Sequence, residues 1–385
     1  MKLKRLTILV AALFCLSTIT ALAAEEEMPF EVDAKAAILV DATSGQVICE
    51  FNADEQFDIA GASKVMSMLV LAESIEDGLL SLSDKVNVST TATNTGGMSA
   101  FLEHGEDYIA EELFNAVLTV NANDATLALV EKAFGSQNGL LKKISEKSKE
   151  LGIAPNFVNV TGHNASGQAM SAREAAVIAC ELAKYDTVLS HGTSYSDTIE
   201  HPSGRVTELV NPNKLVRFYQ GCDGFATGSS SGSGYSGVFT ASRSGQRYIT
   251  VVIGARNSNT RADIAKKLLD HAFANYESIL VIEEGKGVAK DIPIDGGVQK
   301  TVHGVASQGL SILTKKGEAS QITKTSELLE GELKAPVVKG DVVGYLVINK
   351  GDVLLKRIPI VAFNDVEKAS LYRNFTQLLL DYLRR

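Results

Sequence analysis

Hydrophobic and polar positions change period along this chain, and the changes outline its architecture. Two short apolar runs, 36–40 and 46–51, flank a segment rich in turn-forming residues at 41–45, which predicts an opening β-hairpin. The mostly apolar segment 63–77 contains no helix breaker and predicts a buried helix that ends at Gly78. Further helical segments are predicted at 111–119, 125–134 and 172–182.

A second hairpin is predicted later in the chain. The apolar runs 235–242 and 248–253 flank a Ser-Gly-Gln turn at 244–246, and a helical segment at 262–276 follows them. Helices enclosed between early and late hairpins favour an α+β fold over a doubly wound parallel sheet. We therefore predict an antiparallel sheet packed with helices over residues 28–278.

The pattern changes again from residue 279 to residue 363. Short β-rich runs alternate there with Gly and Lys-Gly turns, which predicts a small all-β sandwich domain with no helix longer than a fragment at 326–329. The tail, 364–385, predicts an amphipathic helix because its apolar residues share one stripe. Interrupting charges exclude a bilayer span. The stripe fits a membrane interface, contact with its own domain, or a dimer.

The first 24 residues have the organisation of an export signal. A basic segment at 1–5 precedes an apolar run at 6–22, an A-x-A cleavage pattern follows at 21–23, and three glutamates begin at Glu25. This pattern predicts cleavage and a location outside the cytoplasm, on the cell-wall side. A retained N-terminal anchor is the alternative, and the tail helix would add peripheral contact with the outer face of the cytoplasmic membrane.

Composition narrows the function. The chain has 385 residues, 45% of them hydrophobic and 22% charged, which suits two folded domains. A net charge of −9 argues against nucleic-acid binding, which needs a concentrated basic face. Cys49, Cys180 and Cys222 remain after cleavage, and their odd number and scattered spacing predict free thiols. The six histidines fall into no metal-binding spacing, so we predict neither a metal nor a cofactor.

Five segments carry a resemblance to a known family. They read A-I-L-V-D-A-T-S-G at 37–45, S-K-V-M-S-M-L at 63–69, L-G-I-A-P-N-F-V-N-V-T-G at 151–162, D-G-F-A-T-G at 223–228 and A-P-V-V-K-G-D at 335–341. In order and spacing they resemble the D-alanyl-D-alanine carboxypeptidases, which are low-molecular-mass penicillin-binding proteins with a β-lactamase/transpeptidase-like fold. The resemblance implies exported proteins that remove the terminal D-alanine from peptidoglycan stem peptides and bind penicillin at a catalytic serine.

Such enzymes use three short elements, S-x-x-K, S-x-N and K-T-G. In the first, a helical spacing of three brings serine and lysine to one face, so that a neutral lysine amine can take the serine proton. The resemblance aligns Lys64 with the motif lysine, which leaves Gly61 at the position of the nucleophile. A glycine has no group that can form an acyl-enzyme.

The other two elements also differ from the family pattern. The second reads Asn121-Ala122-Asn123 and lacks its serine, and the third reads Ala226-Thr227-Gly228 and lacks its lysine. The resemblance therefore implies that Asn123 remains from the catalytic set beside Lys64, and that Thr227 and Gly228 remain from the substrate-binding set. Two explanations for Thr227 and Gly228 stay open. The end of the strand requires these residues, or the groove still binds a peptide.

These departures predict an inactive homologue with a binding, scaffolding or regulatory role in cell-wall metabolism. Its expected ligand is the peptidoglycan stem peptide, and no protein partner is identified. In this hypothesis Lys64 is a structural lysine bonded to Asn123 rather than a working base. The alternative is an active serine-type carboxypeptidase with a relocated nucleophile. Ser63 does not face Lys64 on a helix, and the serines at 229–231 are predicted to lie in a flexible loop.

Overall fold

The computed structural model describes residues 27–163, 166–329 and 333–370. This part of the chain forms two compact units, divided after Ser278. The predicted export signal, 1–24, and residues 371–385 of the predicted tail helix lie outside the described residues. Within the described ranges, no helix is both long enough and apolar enough to cross a bilayer.

The N-terminal unit combines helices with three antiparallel sheets. Its elements are β1 Ala36–Asp41, β2 Val47–Phe51, a 3-10 turn Ala60–Ser63, α1 Lys64–Glu76, β3 Lys85–Asn87, α2 Thr90–Thr93, β4 Asp107–Ile109, α3 Ala110–Val120, α4 Asn123–Phe134, α5 Gln137–Glu150, α6 Ala172–Leu182, α7 Asp186–His191, β5 Ser196–Glu200, β6 Val206–Val210, α8 Leu215–Phe218, β7 Cys222–Ser230, β8 Gly234–Arg243, β9 Gln246–Ala255 and α9 Ser258–Asn275.

A five-stranded sheet forms the centre of this unit, in the order β2-β1-β9-β8-β7. Every neighbouring pair in it is antiparallel. The first and last hairpins of this unit therefore join in one sheet, because β1 lies directly against β9. The predicted α+β class is confirmed, and the edge strand β7 carries the third motif.

Helix α1 is the most deeply buried helix of the site. Its residues from Lys64 to Ala72 are all buried, including the polar Lys64 and Ser67. A helix that is apolar nearly all round belongs in a core, and each buried Leu or Met side chain contributes about 2 kcal/mol. Gly78, with φ of 72°, follows the helix end and adopts the left-handed conformation that suits a helix terminus. Packing on all sides therefore fixes the position of Lys64.

Several elements were missed in the sequence. Helix α5 buries only Leu140, Ile144 and Ser148, so its apolar stripe is too thin to identify from periodicity. The short two-stranded sheets β3–β4 and β5–β6 bury few side chains each. Tertiary contacts hold them in place, because two-stranded sheets of this length are at best marginally stable alone.

The C-terminal unit is all β, as predicted. Its elements are β10 Tyr276–Ile282, β11 Gly287–Asp295, β12 Thr301–Ala306, β13 Leu310–Lys315, a 3-10 turn Ala319–Gln321, β14 Ile322–Leu328, β15 Leu333–Lys334, β16 Val342–Lys350 and β17 Val353–Ala362. Six strands form one sheet in the order β14-β16-β17-β12-β11-β15, and β10 pairs with β13.

Two predictions for this region are wrong. The predicted helical fragment 326–329 instead belongs mostly to strand β14, because its backbone pairs with β16 from Ile322 to Leu328. The predicted tail helix does not begin at 364, since none of residues 364–370 is helical. Val366 exchanges backbone hydrogen bonds with Val337, and Ala369 donates one to Gly296. These sheet-like contacts satisfy the backbone groups that a helix would have paired internally.

Candidate active site

The motif positions meet in a cleft of about 1030 Å³ in the N-terminal unit. Its wall includes six of the residues singled out from the sequence: Gly61, Lys64, Asn121, Asn123, Thr227 and Gly228. Ala226, which aligns with the third-motif lysine, does not line this cleft and belongs to the hydrophobic core instead. Tertiary folding thus joins three segments that are far apart in the chain.

Lys64 places a buried amine in the cleft. Its side chain is 2% exposed, and Nζ donates hydrogen bonds to Asn123 Oδ1 at 2.5 Å and to the Thr161 carbonyl at 2.8 Å. Burial lowers the pKa of Lys64 to about 7, although the Asp124 carboxylate acts in the opposite direction. Burial therefore shifts Lys64 towards the neutral amine.

Asn123 holds Lys64 against the neighbouring loop. It begins helix α4, its Nδ2 donates to the Gly96 carbonyl at 2.8 Å, and its backbone N–H donates to the Met98 carbonyl at 2.7 Å. Because Nδ2 is used there, Oδ1 faces Lys64. A Cβ built on Gly97 would lie 2.6 Å from Asn123 Nδ2, so this position requires glycine. The carbonyls of Gly96 and Met98 thus hold Asn123, and Asn123 in turn positions Lys64.

Gly61 and Asn121 form the most unusual feature of the cleft. Asn121 Nδ2 donates to two carbonyl oxygens, those of Gly61 and Thr227, each at 2.9 Å. A Cβ built on Gly61 would lie only 3.1 Å from that nitrogen. Asn121 also ends helix α3 in the left-handed conformation, with φ of 59°, which asparagine tolerates well. The amide therefore stands next to the place of the missing side chain.

Ser63 is not directed at Lys64. Its buried hydroxyl donates to the Ala60 carbonyl at 2.8 Å and accepts from Gln168 Nε2 at 2.6 Å. A serine nucleophile needs a hydrogen bond to its base, and the hydroxyl of Ser63 is already engaged elsewhere. Ser63 also lies outside the lining of the cleft.

The third motif runs along the edge strand β7 and contacts the 3-10 turn closely. A Cβ built on Gly228 would lie 2.4 Å from the Gly61 backbone nitrogen, so the two chains can approach only because residue 228 is glycine. Thr227 is buried and pairs with Gly237 of β8. Its carbonyl is the second acceptor of the Asn121 amide.

The flexible loop predicted for the serine-rich stretch 229–234 is wrong for Ser229 and Ser230, which lie in a strand, and only residues 231–233 form a turn. Ser229 and Ser230 belong to β7 and pair with Tyr235 and Gly234 of β8. Asp58 fixes the turn, because its Oδ2 accepts hydrogen bonds from Ser230 Oγ at 3.2 Å and from Ser233 Oγ at 2.9 Å. The hydroxyls of Ser230 and Ser233 are thereby bonded to Asp58.

Arg261 is a site residue that the sequence analysis missed. It is 5% exposed, lies near the start of α9 and lines the cleft. Nη1 donates to the Ser236 carbonyl at 3.2 Å, while Nε has no hydrogen-bond partner among the described residues. Ser236 pairs with Gly228, and a Cβ on Gly237 would touch the Arg261 stem, which places the arginine beside the third motif.

The environment of Arg261 favours an anion. Across the described ranges no carboxylate forms an ion pair with it, and burial lowers the pKa of its guanidinium to about 10. A buried cation without a counter-ion is costly, and a bound carboxylate would offset that cost by charge-assisted hydrogen bonds. No local sequence signal marks this residue, because its role depends on a strand contact 25 positions away.

The cleft contains the buried amine of Lys64 and the buried guanidinium of Arg261 but no hydroxyl at the first motif. Among the described residues, no group of three histidine, cysteine, aspartate or glutamate side chains could hold a metal ion. Cys49, Cys180 and Cys222 form no disulfide bond with one another. Burial raises the pKa values of Cys180 and Cys222 to about 12, so both are protonated at neutral pH.

Comparison with known proteins places the chain in a family. The family model for D-alanyl-D-alanine carboxypeptidase matches residues 21–257, and the model for the C-terminal domain of penicillin-binding protein 5 matches residues 276–368. The D-alanyl-D-alanine carboxypeptidase DacF of Bacillus subtilis is 33% identical over 353 residues, which cover 91% of this chain and 90% of DacF. DacC of Escherichia coli is 29% identical over 92% of this chain and 89% of its own length.

Solved structures agree with these matches. Penicillin-binding protein 5 from Haemophilus influenzae aligns with a TM-score of 0.79 at 26% identity, covering 89% of this chain and 99% of that one. A protein described as a peptidoglycan synthesis regulatory factor, PBP3 from Streptococcus pneumoniae, aligns with a TM-score of 0.67 at 26% identity over 88% and 100% of the two chains. The family resemblance is thus confirmed in sequence and in fold: this chain belongs to the D-alanyl-D-alanine carboxypeptidase family.

Proposed function

We propose that this protein is a non-catalytic member of its family that binds the carboxyl end of peptidoglycan stem peptides. The observation that carries the proposal is the pair Gly61 and Asn121. No side chain projects at residue 61, and the amide of Asn121 stands 3.1 Å from where a Cβ would be. Loss of the nucleophile alone costs about six decades of turnover in a serine hydrolase.

The rival function, hydrolysis by a relocated serine, has little support in the geometry. The hydroxyl of Ser63 is bonded to Ala60 and Gln168, and those of Ser230 and Ser233 are bonded to Asp58. None of these hydroxyls donates to Lys64. Without a hydroxyl aligned to it, a retained base cannot generate the serine nucleophile that forms an acyl ester.

Ligand binding is supported by what the cleft retains. Arg261 offers a cation without a carboxylate partner, and Thr227 lies on the strand beside it. A peptide that ends in a carboxylate would supply the missing counter-charge. We infer that Arg261 takes over the electrostatic role of the lysine that Ala226 replaces, so the cleft selects peptides with a free C-terminus.

The experiment measures turnover and binding on the same sample. Purified protein is incubated with diacetyl-Lys-D-Ala-D-Ala, released D-alanine is assayed, and binding is followed by calorimetry. We expect binding without release, and weaker binding of the same peptide with an amidated C-terminus. Release that Ser63→Ala abolishes would establish the rival function, and equal affinity for the amidated peptide would refute the carboxylate site.

The cellular location is part of the same proposal. Residues 1–24 are proposed to direct export, so that residues 28–278 and the β-domain at 279–363 act on the cell-wall side. Contacts of Val366 and Ala369 with the β-domain suggest cutting after Ser370 rather than earlier. If the tail mediates peripheral membrane attachment, deletion of residues 371–385 moves the protein from the membrane fraction to the soluble fraction without lowering its thermal stability.

A further inference from the structure

The hydrogen-bonding pattern of Lys64 leaves its amine with a free lone pair. Both of the polar groups that contact Nζ, Asn123 Oδ1 and the Thr161 carbonyl, are acceptors. A neutral amine has two hydrogens, and these two contacts use both. The lone pair must therefore point elsewhere, into the remaining tetrahedral direction.

Position 61 lies next to this amine. A Cβ built on Gly61 would be 3.5 Å from Lys64 Nζ and 3.5 Å from the Thr227 carbonyl oxygen. In a chain with serine at 61, a hydroxyl would stand between the amine and the ligand. Here no hydroxyl intervenes, and both Lys64 and Gly61 line the cleft. An electrophile at residue 61 would meet the amine itself.

The protonation state of Lys64 is compatible with attack. Burial lowers the pKa of its amine to about 7, and desolvation in a cleft is an established way to activate a lysine nucleophile. No described carboxylate forms an ion pair with Nζ, so no counter-ion holds the proton in place. The nearest acidic group that affects it, Asp124, is already bonded to Ser99 and to the backbone of Ala100 and Leu102.

We propose that Lys64 is a covalent acyl acceptor for strained cyclic amides that carry a carboxylate. This inference rests on the proposed loss of serine chemistry. The carboxylate is held by Arg261 beside Thr227, which presents the ring carbonyl towards position 61. Lys64 Nζ forms a bond to the carbonyl carbon, the ring carbon–nitrogen bond breaks, and the proton released from Nζ passes to the departing ring nitrogen.

Ring strain decides the class of ligand. An unstrained peptide is stabilised by amide resonance and resists attack by an amine, whereas a four-membered lactam relieves strain when its ring opens. The product is an amide on Lys64. An amide is far more resistant to hydrolysis than the ester formed on a serine, so the protein reacts once and stays modified. Each protein molecule therefore binds one such compound covalently and irreversibly through Lys64.

The test uses the full chain and benzylpenicillin, followed by intact mass measurement and peptide mapping. We expect one adduct per protein, located on Lys64 and resistant to neutral hydroxylamine, which cleaves esters. Lys214 is the matched control, since it lines the same cleft but is exposed. Lys64→Met is expected to abolish labelling, whereas Lys214→Met and Ser63→Ala leave it unchanged.

The pH dependence of the labelling rate should also reflect the pKa of the reacting amine. Labelling is expected to rise about tenfold per pH unit below pH 7 and to level off above it, whereas an ordinary exposed lysine, with a pKa of ~10.4, continues to gain reactivity to higher pH. Peptide mapping of the labelled parent protein, which carries no substitution, identifies the modified residue even if Lys64→Met folds poorly. An adduct on Lys214, a hydroxylamine-labile adduct on a serine, or no adduct would each overturn the inference.

These outcomes also separate the two proposals. A serine ester together with D-alanine release would refute the non-catalytic function as well. Absence of any adduct, with peptide binding intact and no release, would refute only the acceptor role of Lys64.

Discussion

The side-chain amide of Asn121 donates a 2.9 Å hydrogen bond to the carbonyl oxygen of Gly61 and lies against the face from which a side chain at residue 61 would emerge. The same nitrogen bonds to Thr227. Within the asparagine amide only the NH2 group can donate to two carbonyl oxygens, so the orientation of the amide is fixed. The two replacements therefore fit each other, and reversing one alone should disturb the other.

The first prediction concerns Gly61→Ser alone. The new Cβ would lie 3.1 Å from Asn121 Nδ2, so the amide must shift by a few tenths of an ångström and its two hydrogen bonds weaken. We therefore expect a loss of about 1–2 kcal/mol of unfolding free energy. Gly232→Ser is the control, because a Cβ there meets nothing within 4 Å and should change stability by less than ~0.5 kcal/mol. Urea unfolding measures both. Equal effects of the two variants would contradict the coupling of residues 61 and 121.

A second prediction adds Asn121→Ser to Gly61→Ser. Removing the amide makes room for the new hydroxyl, and Lys64 Nζ lies within reach of it as a base. We expect penicillin to label this double variant through an ester that neutral hydroxylamine releases. Adding Lys64→Met should abolish the ester. Labelling that survives that third change would show that Lys64 does not act as the base.

Arg261 supplies the third prediction. Arg261→Met removes a buried cation that has no described counter-ion, so affinity for a peptide with a free C-terminal carboxylate should fall at least about tenfold. The unfolding free energy should not decrease, because a buried unpaired charge is replaced by an apolar side chain. Calorimetry and thermal unfolding provide the two readouts. Unchanged affinity for the carboxylate peptide, measured against its amidated form, would exclude the anion site.

The fourth prediction is a pH dependence of stability. In the folded chain the pKa of Lys64 is lowered to about 7 by burial, against an ordinary value of 10.5. Between these values the unfolded chain binds one more proton, so this group makes stability rise with pH, by at most about 1.4 kcal/mol per unit. Below pH 7 Lys64 is protonated in both states, so the full cost of burying its charge lowers the stability of the folded chain.

Lys64→Met removes that titration. The stability of the variant relative to the parent should therefore be most favourable below pH 7 and should decline steadily towards pH 10. Urea unfolding across this range gives the difference. A constant difference would show that the folded amine keeps an ordinary pKa.

The fifth prediction concerns Asp124, which organises the loop beside the cleft. Its carboxylate accepts hydrogen bonds from Ser99 Oγ at 2.6 Å and from the backbone N–H groups of Ala100 and Leu102. Asp124→Asn replaces one carboxylate acceptor with an NH2 group and removes the negative charge. We therefore expect the free energy of unfolding to fall by about 2 kcal/mol. Asp263→Asn, at an exposed position of α9, is the matched control and should be neutral within ~0.5 kcal/mol.

Much of the secondary structure could be predicted because its signals are local. The paired hairpins, the buried helix after Ser63 and the helix at Ala172–Leu182 follow from apolar periodicity and turn residues. Helix α5 was missed because only three of its side chains are buried. The serines after Gly228 were mistaken for a flexible loop because the carboxylate that fixes them, Asp58, lies 172 positions away from Ser230.

The sequence by itself determined that a glycine stands three residues before Lys64, since motif spacing is a property of the chain. It also identified the family and the α+β class. Only the tertiary structure decided that Asn121 bonds to Gly61 and Thr227, partners 60 and 106 positions away, and that Arg261 reaches the cleft. The physical reason is that hydrogen bonding and desolvation depend on distance in space, and folding sets that distance through packing of the whole core.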